Sequence, residues 1–258
     1  MSWKHVSLSV TGKSHIERNE PGQDYCRAGD VRLGDRDFFI GLAADGAGST
    51  SCGGEGAEIT CESLFDSIVS AIRDHGDVVS FTDEDIVAWI TTARDAISAR
   101  AGEKSQRVKE YACTVLGIVA ARDKTILFQI GDGCMVTGDG TGYLPVFWPE
   151  QGEYANTTYF LTDDDFRDHI KTEHREQTPV EIAMFTDGLQ NLVLQYASRS
   201  VHAGFFRPLF AALRNETECS PAALSSYLKT LLTREDVNAR SDDDKTLILA
   251  TETRCQKE

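Results

Sequence analysis

The chain has 258 residues, 41% of them hydrophobic and 26% charged, with 6 prolines against 21 glycines, which is the composition of a folded globular chain and excludes a mainly disordered or collagenous one. Twenty-six Lys and Arg face 41 Asp and Glu, a formal charge of -15 that repels phosphate backbones and anionic membrane surfaces and argues against both as main partners. No apolar stretch approaches the roughly 20 residues that span a bilayer, and the first twenty residues lack a signal-peptide block, so a cytoplasmic protein of one domain is expected.

Val6, Leu8 and Val10 alternate as a half-buried strand does. The apolar run Asp37 to Ala44 reads as a second strand that stops at Asp45-Gly46. From Glu55 to Asp74, Ile59, Leu64, Phe65, Ile68 and Ile72 keep near-helical spacing. Ile86, Ile90, Ala93 and Ile97 repeat it after a Thr82-x-x-Asp85 capping box, so two adjacent amphipathic helices are predicted. Strand signals return at 114–120, 125–130 and 143–148, with gaps too short for parallel crossovers, which favours an antiparallel sheet. Residues 149–178 are polar and weakly patterned, as an exposed insertion would be. A buried strand at Ile182 to Phe185, a Ser220-Pro221 helix start and a last strand at Thr246 to Ala250 complete an α+β order. The 7 cysteines are scattered and form no CxxC pair, so neither a disulfide framework nor a zinc knuckle is indicated.

Three apolar strands end in an Asp beside a Gly: Asp45-Gly46, Asp132-Gly133 and Asp187-Gly188. A fourth acidic group, Asp242-Asp243-Asp244, leads into the last strand. One such pair alone reads as turn chemistry. Four at sheet ends can converge in a sandwich, and converging carboxylates repel unless a cation lies among them. Oxygen ligands without clustered His or Cys select hard ions such as Mg²⁺ or Mn²⁺, and ions sharing a carboxylate can activate water for attack on a phosphoryl group. The neighbouring glycines are expected to let backbone carbonyls approach a metal. Ser49-Thr50-Ser51 has no base beside it and no GxSxG elbow, and 48–56 lacks the GK[ST] ending of a P-loop. Ala43 stands where an aspartyl nucleophile motif needs a second Asp.

Gly22-Gln23-Asp24, Ala44-Asp45-Gly46-Ala47-Gly48 with Gly54-Glu55, Cys113-Thr114, Gly131-Asp132, Thr186-Asp187-Gly188-Leu189 and Asp243-Asp244-Lys245-Thr246 resemble, in order, the motifs of the PPM family of metal-dependent, type-2C-like Ser/Thr protein phosphatases. The resemblance runs from about residue 10 to residue 251 and is strongest to the compact bacterial PphC-like branch, which shares the Gly12-x-Ser14-His15 start. It implies a four-layer α-β-β-α sandwich with two antiparallel sheets, and a flap at 149–178. It implies two Mn²⁺ or Mg²⁺ ions with a bridging hydroxide as nucleophile: Asp45 bridging both, the Gly46 carbonyl on one, Asp187 and Asp243 on the other, Asp24 supporting through water, and Asp132 at a third site. Asp45, Asp187 and Asp243 are the catalytic set, with phosphorylated proteins as substrates and a cognate Ser/Thr kinase as partner.

Four departures stand out. Ala47 replaces a His proposed as general acid, and Gly133 replaces a common Ser. Asn191 stands where many members complete the third site with an Asp, and it could equally cap the helix after Gly188. The phosphate-clamping Arg has no match at its usual spacing; Arg18 is the nearest candidate, and His15 could orient a phosphate or an Asp, or be a satisfied structural group. The readings outside this one are a non-catalytic sensor that keeps the fold and a hydrolase of a small phosphorylated metabolite; intact Asp45, Asp187 and Asp243 argue against the sensor.

Overall fold

The long periodic segments form where their patterns put them. The computed structural model describes residues 2–76, 78, 80–149, 158–215 and 220–253. β1 (Ser2–Val10) and a short helix α1 (Lys13–Arg18) lead into a hairpin of β2 (Asp24–Leu33) and β3 (Arg36–Asp45). Helices α2 (Gly53–His75) and α3 (Asp83–Glu103) follow, the second opened by the expected capping box, in which the Thr82 N–H donates to Asp85 Oδ2 at 2.8 Å. Then come β4 (Val115–Ala120), β5 (Thr125–Ile130), β6 (Cys134–Gly138), β7 (Tyr143–Pro145), β8 (Lys171–Arg175) and β9 (Glu181–Phe185). A single turn α4 (Gln190–Val193) precedes the two-residue strands β10 (Leu194–Gln195) and β11 (Ser200–Val201). Helices α5 (Ala203–Arg214), α6 (Pro221–Leu232) and α7 (Glu235–Asn238) come before β12 (Lys245–Thr253), and Ser220 caps α6 through its hydroxyl.

The strands make two five-stranded antiparallel sheets, ordered β2-β3-β4-β5-β8 and β1-β12-β9-β6-β7. Alternation along β3 decides the layering. Phe38, Ile40, Leu42 and Ala44 pack with Leu64 and Ile68 of α2 and Ile90 and Ile97 of α3. Phe39 and Ala43, on the opposite face, meet Leu116, Ile118, Met184 and Ile248 between the sheets. In the second sheet Phe185, Leu247 and Leu249 turn outward against Phe206 and Phe210 of α5 and Leu224 and Leu228 of α6. The result is the expected α-β-β-α sandwich, with three apolar layers between four layers of backbone.

Five of the described strands escape sequence reading: the two-residue β10 and β11, and the longer β2, β6 and β8. β2 has only half-buried residues along most of its length, yet it pairs with β3 from Asp24↔Asp45 to Leu33↔Arg36 across a turn whose Gly34 takes φ 59°. β6 is short, and it moves the chain into the second sheet, so residues 143–145 form an edge strand beside it instead of joining β4 and β5. The expected insertion at 149–178 is in part structural: β8 is the edge strand next to β5, and Leu161 and Phe166 are buried in the helix-side core. Its Lys-Thr-Glu-His-Arg sequence lacks apolar alternation because an edge strand is held by one ladder and guarded by charge. Residues 150–157 of that expected flap lie outside the described residues. Cys26, Cys52, Cys61, Cys113 and Cys134 are free thiols, and Cys219 and Cys255 lie outside the described residues.

Candidate metal centre

Antiparallel pairing brings the acidic strand ends to one end of the sandwich. β3 ends at Asp45, directly opposite Asp24 at the start of β2. Asp187 follows β9, Asp243 and Asp244 precede β12, and Asp132 lies in the link between β5 and β6. Toward this end the inter-sheet core turns polar. Asp24 Oδ2 accepts from Thr186 Oγ1 at 2.7 Å and Thr246 Oγ1 at 2.8 Å, so a carboxylate of one sheet is tied to two threonines of the other. Thr186 Oγ1 in turn accepts from the Thr246 N–H at 3.0 Å.

The carboxyls crowd. Burial pushes Asp24 up to about 7, against the two threonine bonds, with Asp244 and Asp187 adding to the rise. Asp45 is held well above the usual carboxylate range by burial, then by Asp24, Asp187 and Asp243. Asp187 is pushed up to about 6 by burial, then by Asp132 and Asp243, and it shares a hydrogen bond with Asp45. Asp24 Oδ1 and Asp187 Oδ1 are buried without a hydrogen-bond partner. Such oxygens are costly to leave unpaired, and an all-oxygen acidic set of this kind suits hard divalent cations.

Main-chain contacts position the cluster. The Asp45 N–H donates to Thr114 Oγ1 at 3.0 Å, and the Thr114 N–H returns to the Asp45 carbonyl at 2.8 Å. A Cβ on Gly46 would lie 2.3 Å from the Gly53 carbonyl carbon, and one on Gly188 would lie 1.9 Å from the Asp244 carbonyl oxygen. These glycines are therefore required for backbone packing against α2 and the β12 entry, which sequence reasoning had assigned to room around a metal. Asp243 Oδ1 accepts from the Asp244 N–H at 2.8 Å, and the Asp243 carbonyl accepts from the buried Lys245 Nζ at 2.7 Å.

Asp244, which the motif carried without a role, is the buried pivot of the entry segment. It accepts from the Gly12 N–H at 2.6 Å, the Gln23 N–H at 2.5 Å and His15 Nδ1 at 3.0 Å. His15 is only 4% exposed and its Nε2 is buried without a partner, so it braces Asp244 and does not reach a phosphate. His15, Asp243 and Asp244 bring ligand atoms within 4.8 Å of one another, but His15 Nδ1 and both Asp244 oxygens are already hydrogen-bonded. Arg18 is exposed and pairs with Glu20 at 2.9 Å, which leaves it at the surface of α1. Asp132 Oδ2 accepts from Thr158 Oγ1 at 2.7 Å, and the Asp132 carbonyl accepts from Gln190 Nε2 at 2.5 Å. Asn191 is exposed, donates to the Arg240 carbonyl at 3.4 Å and is not the cap of α4, whose N-cap is Leu189. Thr114, Thr186, Gln190 and Lys245 hold the site without having been singled out, although Thr114, Thr186 and Lys245 lay inside the quoted motifs.

The protein phosphatase 2C profile matches residues 11–233. The Serine/threonine-protein phosphatase 3 of Escherichia coli (strain K12) is 37% identical over 251 residues, covering 97% of this chain and 98% of that protein. The chain belongs to the protein phosphatase 2C family.

Solved structures agree on the fold. The S. agalactiae serine/threonine phosphatase is 16% identical with a TM-score of 0.63, covering 98% of this chain and 100% of that one. The Staphylococcus aureus phosphatase Stp1 is 12% identical with a TM-score of 0.67, covering 98% and 96%. The PstP catalytic domain, in complex with two manganese ions, is 14% identical with a TM-score of 0.59, covering 96% and 97%. The protein phosphatase 2C profile ends before Asp243, so in this member the contribution of 243–246 rests on the geometry above: Asp243 braced by Lys245, Asp244 by three donors, and Thr246 on Asp24.

Proposed function

We propose that the chain is a metal-dependent serine/threonine protein phosphatase whose Asp45, Asp187 and Asp243, with the Gly46 carbonyl and Asp24, hold two Mn²⁺ or Mg²⁺ ions. The observation that carries this reading is the carboxylate cluster: burial, and then neighbouring acids from both sheets, raise the proton affinity of Asp45 and Asp187, and buried oxygens of Asp24 and Asp187 have no partner. The manganese-bound PstP domain, which has the same fold, supports the choice of ion. Bound there, the ions would activate a water and neutralise charge developing on the phosphoryl group.

The chain's own residues do the rest. Asp45 offers its carboxylate from a strand end locked by Thr114. Asp24 commits one oxygen to Thr186 and Thr246 and keeps the other as an acceptor for a water of the site. Asp132, beside Asp187, is the candidate for a third and less acidic position, since Asn191 is engaged elsewhere. Ala47 offers no proton and His15 is enclosed, so protonation of the leaving serine or threonine oxygen falls to water. The substrates are phosphorylated proteins, supplied by a Ser/Thr kinase, and the cytoplasm is the proposed location. Among the described residues no helix is long and apolar enough to cross a membrane.

Phosphate release from phosphoserine and phosphothreonine peptides, measured beside release from phosphorylated metabolites, tests the reading. Chelator-treated protein should be inactive and should recover with Mn²⁺ or Mg²⁺, and peptides should be preferred. Full activity in metal-free buffer would overturn the metal assignment, and a preference for metabolites would overturn the substrate class.

A further inference from the structure

Gln23, which the motif Gly22-Gln23-Asp24 carried without a role, stands just before β2 at the acidic end of the sandwich. Its main chain reaches toward both sheets. The Gln23 N–H donates to Asp244 Oδ2 at 2.5 Å, and the Gln23 carbonyl accepts from the Gly46 N–H at 3.1 Å. Its side chain closes a second link to the turn after β3. One end of the amide lies 3.0 Å from the Gly46 carbonyl oxygen and 2.9 Å from the Ala47 carbonyl oxygen. Carbonyl oxygens only accept, so the end that faces them is the nitrogen, whose two N–H groups serve one carbonyl each.

The fold makes a seat for this side chain. A Cβ on Gly53 would lie 2.8 Å from the facing end of the Gln23 amide, and one on Gly54 would lie 3.0 Å from the Gln23 Cα. The paired glycines at the start of α2 therefore leave the space that Gln23 fills, between the end of β3 and the first turn of the helix. The two carbonyls it meets are not alike. That of Ala47 also accepts from the Thr50 N–H at 2.9 Å and the Thr50 hydroxyl at 2.8 Å, whereas among the described residues no other donor reaches that of Gly46. A carbonyl oxygen has two lone pairs, so with one taken by the Gln23 amide the Gly46 oxygen keeps one, in a direction that the amide sets.

We infer that Gln23 is a positioning residue of the metal centre: its amide fixes the direction of the Gly46 carbonyl, and so how that oxygen is offered to a cation, while its N–H ties the same unit to Asp244 beside Asp243. The inference rests on the proposed function, in which the Gly46 carbonyl is a ligand. Gln23 acts through Gly46 and is not itself a ligand, because an amide nitrogen that donates both its N–H groups has no lone pair for a cation. Its place in the network also explains why a carboxylate of the β12 entry and a carbonyl at the end of β3, in different sheets, keep one alignment.

The test uses the full chain, stripped of metal with chelator and titrated with Mn²⁺ in a calorimeter, with melting curves of the same samples. Gln23→Met keeps the length of the side chain and removes the donor, and Gln23→Glu keeps its shape and replaces the N–H groups by an acceptor. Both should weaken Mn²⁺ binding by roughly tenfold or more, the loss common when a partner of a metal ligand is removed. A purely structural role would lower the melting temperature of the metal-free protein and leave the Mn²⁺ affinity of the folded variants as in wild type, so an unchanged affinity in Gln23→Met overturns the inference. Tighter binding by Gln23→Glu overturns it as well, since the side chain would then be an oxygen ligand. Wild type gives a reading that needs no folded variant: the Gln23 side-chain amide signals in a heteronuclear NMR spectrum should shift as Mg²⁺ is added, with the midpoint of the metal titration, and signals that stay fixed to saturation overturn the inference. Wild type that binds no Mn²⁺ and releases no phosphate from phosphopeptides overturns the phosphatase reading itself, whereas wild-type binding retained by both variants overturns only the role of Gln23.

Discussion

Asp45 and Asp132 share a motif, an Asp beside a Gly at a strand end, but differ in surroundings. Asp45 sits among Asp24, Asp187 and Asp243, whereas Asp132 spends one oxygen on Thr158 and acts on Asp187 from the side. Asp45→Asn should cut phosphate release by about 100-fold or more, since losing even an outer partner of a metal ligand commonly costs 10–100-fold. Asp132→Asn should cost roughly tenfold or less; steady-state rates at saturating Mn²⁺ check the order, and equal losses would mean the two acids do the same work. Asp244 makes a different prediction. Its carboxylate satisfies two main-chain N–H groups and His15 in a buried setting. Asp244→Ala leaves those donors unpaired and should lower unfolding stability by about 2–4 kcal/mol, whereas Asp244→Asn, which keeps one acceptor oxygen, should lose less. Denaturant titration of the two variants separates them.

At the scale of elements, the N-terminus of α2 is pressed against the end of β3 through two glycines. A Cβ on Gly46 would meet the Gly53 carbonyl carbon at 2.3 Å, and one on Gly53 would meet the Gly46 carbonyl carbon at 2.9 Å. The atoms nearest a Cβ on Gly46 are all backbone, so backbone must move there, while one on Gly53 would also meet the Gln23 side-chain amide at 2.8 Å. Gly46→Ala should destabilise the protein by about 1–3 kcal/mol, the range of forced overpacking, and should also lower the metal affinity of the Asp45 cluster in calorimetric titration. An unchanged affinity would mean that the helix and strand can part without moving Asp45. α2 is held from its other side by Glu55, which bonds Arg100 Nε at 2.7 Å and Lys104 Nζ at 2.8 Å. Those groups are partly exposed, so the contact orients α2 against α3 and adds about 1 kcal/mol at most.

For the whole molecule, the acidic end is where the two sheets are both joined and strained. Asp24 at about 7 and Asp187 at about 6 lie above the 3.8 of a free Asp, so the metal-free folded state binds more protons than the unfolded chain between those values. The stability this contributes is fully present below about pH 4 and is lost as pH rises through 6 to 7. Metal-free protein should therefore melt at a lower temperature at pH 8 than at pH 5, and Mn²⁺ should raise the melting temperature at pH 8 by removing the repulsion. A metal-free melting temperature that rises from pH 5 to pH 8 would contradict the crowding of these acids.

Local pattern was enough for the amphipathic helices α2 and α3, the start of α6, the apolar strands, the Thr82 capping box and the acidic strand ends, because each is written within a few residues, whereas α5 (Ala203–Arg214) was not picked out. The ordered motifs carried the family and the expected ligand set. Tertiary structure alone decided the layering of β2, β6 and β8, whose sequences lack a clean apolar face. It decided that His15 is a brace, that Arg18 stays at the surface, and that Gln190, not Asn191, contacts Asp132. It also tied Asp24 to Thr186, 162 positions away, and to Thr246, 222 away. A side chain's burial and partners depend on strands that meet only after the chain has folded, and no periodicity within one segment encodes which distant segment will lie across from it.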